Sequence, residues 1–312
     1  MGSSLRLSLA VLSSTSYLAQ AHCYRGDYER AVELPVGNVA IQQADWAYER
    51  SGNSKPIGFY DRYWLVLSLV ELGRLSEAAR YAAEALQLAE RARHAFSLGL
   101  AHWATGKLHL LMGDWAAARV MLERGVAALR KGTIRLSLPR AVAASAWAAA
   151  EIGEASNALI RLREGEQLLR DEMERGMADR PGETYHALSR ASLLLGRFVE
   201  ARSLGDRAVE SSPCHPGFAA HGHHLLGDIA THQNRFDAEH GIAHYLASRA
   251  LAEPRGMRPL VAHCHFGLGK LKQGTGERDE ATEHFAAAIA MYRDMGMTYW
   301  LKKAETKLSD QH

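Results

Sequence analysis

Histidine and cysteine side chains cluster in the last third of the sequence, where they could bind a metal ion. The chain contains 16 histidines and three cysteines, and the densest groups lie at residues 221–224 and 263–265. Imidazole and thiolate groups are ligands that zinc prefers. Side chains two residues apart on a helix point in nearly opposite directions, however, so two histidines separated by one residue do not chelate one ion within a helix.

Two histidine pairs have a spacing that suits a shared ligand, His221 with His224 and His240 with His244. Neither pair has evident third and fourth ligands, which a closed zinc site requires. We therefore predict that the chain binds no metal, and no other cofactor is indicated. A sensor that binds a metal or a small molecule through the histidine-rich region is the alternative hypothesis for function.

Sequence motifs of the common enzyme classes are missing. Gly106-Lys107 and Gly269-Lys270 are each followed by Leu, whereas a phosphate-binding loop requires Ser or Thr at that place. The sequence contains no H-E-x-x-H, C-x-x-C or G-x-S-x-G motif. We therefore predict that the chain is not an enzyme.

A short motif recurs through the whole chain and organises it. In most copies, a Gly is followed by a charged residue, a large apolar residue, two variable positions and Ala. Seven copies, some degenerate, begin at Gly26, Gly73, Gly113, Gly153, Gly196, Asn234 and Gly276. Successive copies lie 38 to 47 residues apart, a period that is typical of stacked helix-turn-helix units.

The positions of this motif have physical reasons. Gly or Asn just past a helix tolerates the left-handed backbone that ends it. A small residue five positions later, such as Ala78 or Ala118, lets the two helices of a unit approach closely. With Leu-Gly eight residues before the turn, as at Leu268-Gly269, the pattern resembles the tetratricopeptide signature. The resemblance implies an all-α superhelix, a solenoid of about seven helix-turn-helix repeats.

We expect these repeats to form one domain over residues 1–312, with turns near the seven motif positions. About fifteen helices should start near residue 4 and end with a capping helix at 297–309 that covers the final repeat. The first residues imitate a secretory signal only loosely, because Ser and Thr at 13–16 interrupt the apolar run. An ordinary first helix is therefore favoured.

Breaks between the helices are expected at several places. Pro35 should kink or break the second helix of the first repeat, and residues 52–56 have the composition of a loop. Further loops are predicted at 131–132, 176–182, 212–217 and 254–259.

The first helix of each repeat should line the concave face of the superhelix. Positions thirteen, ten and six residues before the turns select aromatic, cationic and histidine side chains. The candidate groove residues at these positions are Tyr60, Tyr63, Trp103, Lys107, Arg140, Trp147, His186, Arg190, His221, His224, Asp228, His263, Phe266 and Lys270. Aromatic rings interleaved with cations suit an extended peptide or an acidic segment. Packing of several of these aromatic residues between adjacent repeats is an equally weighted alternative.

Parts of the chain also resemble one group of signalling proteins. GMRPLVAHCHFGLGKL (residues 256–271), MYRDMGMTYWLKKAE (291–305) and SLGLAHWATGKLHLLMGDWAAARVMLERGV (97–126) are similar to the C-terminal repeat region of large bacterial signalling ATPases. Those proteins typically join a class III adenylate cyclase or another effector domain to an ATPase core and a helical tail. The resemblance implies a regulatory or scaffolding module and supplies no catalytic residue.

Composition and charge narrow the partners. The 37 Lys and Arg nearly balance the 35 Asp and Glu, so we predict neither nucleic acid nor a membrane as a partner. The basic residues Arg130, Lys131, Arg135, Arg140, Arg161, Arg163 and Arg170 are interpreted as a solvated face because acids intersperse with the later ones. Three widely spaced cysteines indicate reduced thiols and a cytoplasmic protein.

These observations favour a non-catalytic tetratricopeptide module that binds a peptide or a protein in its concave groove. Its expected context is the regulation of a linked or partner signalling enzyme. The sequence does not indicate an oligomeric state.

Overall fold

The computed structural model describes residues 2–41, 57–232 and 236–310. These residues form fifteen α-helices and a short 3₁₀-helix at Glu253–Arg255, without β-strands. The helices are α1 Gly2–Arg25, α2 Tyr28–Ile41, α3 Ile57–Leu72, α4 Leu75–Ala92, α5 Ala95–Met112, α6 Trp115–Lys131, α7 Leu138–Glu151, α8 Ala155–Glu174, α9 Pro181–Leu194, α10 Phe198–Glu210, α11 Pro216–Ala230, α12 Ala238–Ala252, α13 Arg258–Thr275, α14 Arg278–Asp294 and α15 Thr298–Ser309. The predicted all-α superhelix is confirmed.

The first fourteen helices form seven antiparallel hairpins, from α1/α2 to α13/α14. The second helix of each hairpin packs against the first helix of the next one, and successive odd-numbered helices also touch each other. The odd-numbered helices therefore form the inner layer of the superhelix and the even-numbered helices the outer layer.

Glycines act at two places in the hairpins. Some follow the first helix at the turn, and others lie inside that helix and allow the second helix to pack closely against it. Gly73 and Gly113, for example, have φ values of 76° and 79°, which favour glycine. Within α13, a Cβ atom at Gly269 would lie 2.7 Å from the Phe285 ring of α14. The turn predicted near residue 234 and the loop predicted at 52–56 lie outside the described residues.

The superhelix closes on itself, because its last helices contact its first ones. Helix α13 touches α3, and α11 touches α1. The indole Nε1 of Trp300 in α15 donates a hydrogen bond to the carbonyl oxygen of Leu111 in α5, at 2.8 Å. Tyr299 packs on Gly113, where a Cβ atom would lie 2.5 Å from its ring. Helix α15, predicted as a cap on the final repeat, therefore also joins that repeat to the third hairpin.

The break predicted at Pro35 does not occur. Helix α2 runs through it to Ile41, although proline lacks the N–H that would bond one turn back. Pro35 lies on the buried face of α2, and three residues later Asn38 Nδ2 donates to Asp61 Oδ1 of α3 at 3.0 Å. Tertiary contacts on both sides of the proline thus hold the helix together.

Four of the seven basic residues predicted to form a solvated face lie at ion-pair distance from acids. Arg135 contacts Glu172, and Arg161 contacts Glu123 at 2.6 Å. Arg140 is an exception to the solvated face, since it is 4% exposed and was wrongly included in it. It projects from α7 into the centre of the molecule because it lies on the inner-layer side of that helix.

The predicted loops at 131–132, 176–182, 212–217 and 254–259 fall at or beside helix ends. In the described part of the chain, no helix combines the length and apolar character that crossing a bilayer demands.

Candidate functional site

Two adjoining cavities lie inside the superhelix, between the inner-layer helices. The narrow cavity has a volume of about 100 Å³ and the wide cavity about 530 Å³. Both are lined by Trp147, His186 and His221, so these side chains lie between the two cavities. The narrow cavity lies toward α3, and the wide cavity lies toward α13 and α15.

The narrow cavity is lined by a network of buried charges. Lys107 Nζ of α5 is 3.1 Å from a carboxylate oxygen of Glu71 in α3 and 3.1 Å from one of Glu183 in α9. His221 Nε2 of α11 is 2.8 Å from the other oxygen of Glu71. One lysine and one histidine therefore connect four helices from the second, third, fifth and sixth hairpins.

Burial and charge act in opposite directions on these groups. Burial alone would raise the pKa of Glu71, but His221 and Lys107 together lower it to about 2. Burial alone would lower the pKa of Lys107, but Glu183 and Glu71 raise it above its usual range. Glu71 and Lys107 are thus held in their charged forms by their partners.

Two arginines extend the network. Arg140 Nη1 donates to Asp179 Oδ2 at 2.9 Å, and its guanidinium lies 4.7 Å from the centre of the Trp103 ring. Arg180 precedes α9 with a left-handed φ of 49°, and its buried guanidinium lies 5.7 Å from the same indole. A left-handed backbone is costly for a residue other than glycine, so the contacts of the Arg180 side chain must compensate for it. The network contains three carboxylates and three permanent cations.

The wide cavity contains a charged pair anchored by further hydrogen bonds. Arg190 Nη1 donates to Asp228 Oδ2 at 2.6 Å, and the Tyr245 hydroxyl donates to Asp228 Oδ1 at 2.8 Å. Burial alone would raise the pKa of Asp228, but His224, Arg190 and Lys270 hold it well below its usual range. The carboxylate is therefore ionised and fixed in orientation.

Three histidines in the cavity walls are neutral near pH 7. Burial lowers the pKa of His224 to about 4, against the opposing effect of Asp228. Burial and nearby cations also hold the pKa values of His186 and His263 well below their usual range. His263 Nδ1 is 2.7 Å from the Tyr292 hydroxyl. The histidines thus supply polar but uncharged surface.

Helix α15 supplies the aromatic wall on the other side of the wide cavity. The ring of Trp300 stands edge-on to that of His263, with centres 4.6 Å apart, and also meets Trp115 of α6. Lys303, one turn later, is exposed, and its Nζ lies 5.3 Å from the centre of the Trp300 ring. Phe266 of α13 and Trp147 of α7 add further aromatic surface.

The structure divides the predicted groove residues into three sets. The wide cavity is lined by Arg190, His224, Asp228, His263, Phe266 and Lys270, and the narrow one by Trp103, Lys107 and Arg140. The shared residues are Trp147, His186 and His221. Tyr60 and Tyr63 line neither cavity and are buried between α1, α3 and α5, where the Tyr60 hydroxyl donates to Gln20 Oε1 at 2.6 Å. The aromatic residues Tyr60, Tyr63 and Trp103 therefore pack between repeats.

Several cavity residues were missed by the sequence pattern. Glu183 lies thirteen residues before Gly196, which is one of the three positions used to select groove residues, so the same rule would have found it. Glu71 lies two residues before its turn, outside that register. Trp300 and Lys303 belong to α15, which lies after the last of the seven motif copies, and the contact of α15 with α5 brings them to the cavity.

The histidine pairs form contacts that the sequence did not indicate. His223 Nδ1 lies 3.2 Å from His244 Nδ1, and His265 Nδ1 lies 3.0 Å from His284 Nδ1. Among the residues that the structure describes, no three His, Cys, Asp or Glu side chains are grouped in a way that could hold a metal ion. Cys264 is buried, which raises the pKa of its thiol to about 12 and disfavours the thiolate.

Comparison with solved structures identifies the architecture. The chain is similar to a signal transduction ATPase with numerous domains that carries a tetratricopeptide repeat sensor, from Pyrococcus horikoshii (TM-score 0.57, 14% identity, 91% of this chain and 42% of the other). The fold is tetratricopeptide-like. This chain spans about two fifths of the length of that protein.

Two further neighbours have the same fold. They are NprR in complex with its cognate peptide NprX (TM-score 0.56, 12% identity, 96% of this chain and 82% of the other) and a Rap protein complexed with competence and sporulation factor (TM-score 0.57, 9% identity, 97% and 100%). No protein-family model matches the chain, and no curated protein is significantly similar to it in sequence.

Proposed function

We propose that the chain is a non-catalytic regulatory module that binds a short peptide, or an extended segment of a protein, in its wide cavity. The composition of that cavity carries the proposal. Aromatic faces from α6, α7, α13 and α15 surround an Arg190–Asp228 pair whose orientation is fixed. Flat apolar surfaces beside a few oriented polar groups are typical of a site that recognises an organic ligand.

The dimensions of the wide cavity support the same proposal. Its volume of about 530 Å³ lies within the usual range of ligand sites. Trp147, Trp300 and Phe266 offer stacking surfaces for apolar side chains, and the neutral histidines offer hydrogen bonds to peptide groups. The narrow cavity is too small for more than one side chain and is lined by charges that are already paired.

The structural neighbours add independent support. NprR was solved with a cognate peptide and the Rap protein with competence and sporulation factor, so this architecture accommodates such ligands in other proteins. Their low sequence identity to this chain shows a shared fold only. The peptide itself is therefore proposed from the cavity.

We place the module in a bacterial cytoplasmic signalling protein, where it regulates a linked or partner enzyme of the ATPase or adenylate cyclase type. The resemblance of residues 256–271 and 291–305 to the tails of such proteins supports this context. The likeness to a multidomain signal transduction ATPase points the same way. The neighbouring coding sequence tests it, since an ATPase or cyclase frame joined to this one would establish the linkage.

Peptide binding is tested with a defined library. Hexapeptides that bind the protein are selected from a random library, and their dissociation constants are measured by titration calorimetry. Leu194 is an exposed residue in the wall of the wide cavity, so Leu194→Trp places a bulky ring there. We expect this variant to bind the selected peptides about tenfold more weakly or worse, because the ring occupies space that a peptide needs.

A matched control uses the same substitution elsewhere. Ile160 of α8 is 61% exposed and lines neither cavity, so Ile160→Trp should leave the dissociation constants unchanged. Failure to recover any binding peptide, or equal binding by Leu194→Trp and the wild type, would refute the proposal. If metabolites in a thermal-shift screen stabilise the protein and peptides do not, the cavity is a small-molecule sensor instead.

A further inference from the structure

The two cavities differ in how their charges are balanced. In the network at the narrow cavity, two lining carboxylates, Glu71 and Glu183, and the adjacent Asp179 face three cations at ion-pair distances. The wide cavity is lined by three cations, Arg190, Lys270 and Lys303, but by only two carboxylates, Glu151 and Asp228. The cations that line the wide cavity therefore outnumber its carboxylates by one.

The two carboxylates of the wide cavity are already engaged. Asp228 accepts hydrogen bonds from Arg190 and from Tyr245, and Lys270 Nζ stays 3.9 Å away from it, beyond hydrogen-bond distance. Glu151 accepts a hydrogen bond from the indole of Trp147 at 3.0 Å. Neither acid therefore neutralises Lys270 fully.

Lys303 lacks a partner of opposite charge within the described part of the chain. Its Nζ lies over the rings of Tyr299 and Trp300, at 5.7 and 5.3 Å from their centres, and no carboxylate comes within 4.0 Å. Lys270 and Lys303 line the same cavity. Burial lowers the pKa of Lys270 against the opposing effect of Asp228, and the charge of Lys303 lowers it further. Two ammonium groups thus face one space with too little negative charge between them.

We infer that the peptide bound in the wide cavity carries a carboxylate, which is seated between Lys270 of α13 and Lys303 of α15. This inference rests on the proposed function and specifies its ligand. A carboxylate there gains charge-assisted hydrogen bonds from two donors and removes their mutual repulsion. A neighbouring apolar side chain of the peptide packs against Trp300 and Phe266, which lie beside the two lysines.

The carboxylate bridges α13 and α15, which contact different helices near the start of the superhelix. Helix α13 touches α3, and α15 is hydrogen-bonded to α5 through Trp300. Binding therefore reinforces the closed form of the superhelix at the point where its last helix meets the third hairpin. The carboxylate is either the C-terminus of the peptide or an Asp or Glu side chain, and both supply the same chemistry.

Three hexapeptide libraries test the inference. The first contains Asp and Glu and ends in a free carboxylate, the second ends in an amide, and the third replaces Asp and Glu by Asn and Gln and also ends in an amide. Titration calorimetry at low and high salt measures the dissociation constants of peptides selected from each. We expect selected acidic peptides to bind about tenfold or more tightly than their uncharged counterparts, and the preference to shrink in high salt.

Variants assign this preference to the two lysines. Lys270→Gln and Lys303→Gln should each reduce the preference for acidic over uncharged peptides about tenfold, while uncharged peptides bind as they do to the wild type. Lys302→Gln is the matched control, because Lys302 is an exposed lysine of α15 that lines neither cavity. Circular dichroism confirms that each variant is folded.

The outcomes separate the inference from the function on which it rests. Uncharged peptides that bind as tightly as acidic ones, or a charge preference that survives in both lysine variants, overturn the inference and leave peptide binding intact. If no library yields a binding peptide, both are overturned. Tight binding by amidated acidic peptides identifies a side-chain carboxylate, whereas its loss on amidation identifies the C-terminus.

Discussion

Lys107 and Lys303 both face the interior of the superhelix, but in different electrostatic surroundings. Lys107 touches two buried carboxylates at 3.1 Å, whereas Lys303 is exposed and lies over aromatic rings. In the narrow cavity the protein supplies both members of every ion pair. In the wide cavity it supplies more cations than anions.

This difference indicates that charged residues of the inner layer have different roles in the two cavities. Charges that are buried and mutually paired cannot be rearranged without a large free-energy cost, so the narrow cavity fixes the relative positions of α3, α5, α9 and α11. Charges that are partly exposed and incompletely paired remain open to a ligand. Repeats with one common fold can therefore line one cavity with charges that pair with each other and an adjoining cavity with charges that are incompletely paired.

The largest effect should follow from removing the central cation of the narrow cavity. Lys107→Met leaves Glu71 and Glu183 facing each other in a buried space, so the free energy of unfolding should fall by about 3–5 kcal/mol. Urea denaturation followed by circular dichroism measures this change. Lys303→Met is the control from the wide cavity and should change it by less than about 0.5 kcal/mol. Equal losses in the two variants would contradict the contrast between the cavities.

A buried histidine of the wide cavity should make stability depend on pH. Burial lowers the pKa of His224 from 6.5 to about 4, so between these values the unfolded chain binds a proton that the native protein does not. Stability due to neutral His224 is thus complete above pH 6.5 and is lost as the pH falls toward 4, by about 3 kcal/mol.

His224→Gln removes this titration, so the difference in unfolding free energy between the wild type and the variant should increase from pH 4 to pH 6.5. Denaturation curves at several pH values measure it. A flat difference for His224→Gln would show that this histidine is not desolvated as the structure indicates.

A smaller loss of stability is expected at the contact between α15 and α5, where the superhelix closes. Trp300→Phe removes the N–H that donates to the carbonyl oxygen of Leu111, so the free energy of unfolding should fall by about 1 kcal/mol. Amide hydrogen exchange should accelerate in α15 more than in α3, because only α15 loses its anchor. Tyr299→Phe, which removes a hydroxyl from an exposed ring of the same wall, is the control. Unchanged exchange in α15 would show that this bond does not hold the superhelix closed.

The repeat pattern predicted the helices well because its information is local. Gly73 and Gly113 end helices through their left-handed backbone, and Gly269 admits the ring of Phe285 sixteen residues later. The same local rules predicted a break at Pro35, but α2 continues through it. Its cost is borne by contacts with α1 and α3, which a helix propensity does not include.

The candidate site could be predicted only in part. The register before each turn found Arg190, Asp228 and Lys270, because the inner face of a helix hairpin follows from its period. The positions before the turns could not show which of these residues line a cavity and which pack between adjacent repeats. Tyr60 and Tyr63 match these positions as well as Phe266 does, yet they line neither cavity and are buried between repeats.

The sequence by itself determined the hairpins, their order and the side of each helix that faces inward, because turn chemistry and helical period act over a few residues. Only the tertiary structure decided that the superhelix closes and that α15 meets α5. Closure depends on small rotations summed over seven hairpins, which no single repeat encodes. The tertiary structure also places Lys270 and Lys303 in the wall of one cavity and Lys107 between two acids in the wall of the other.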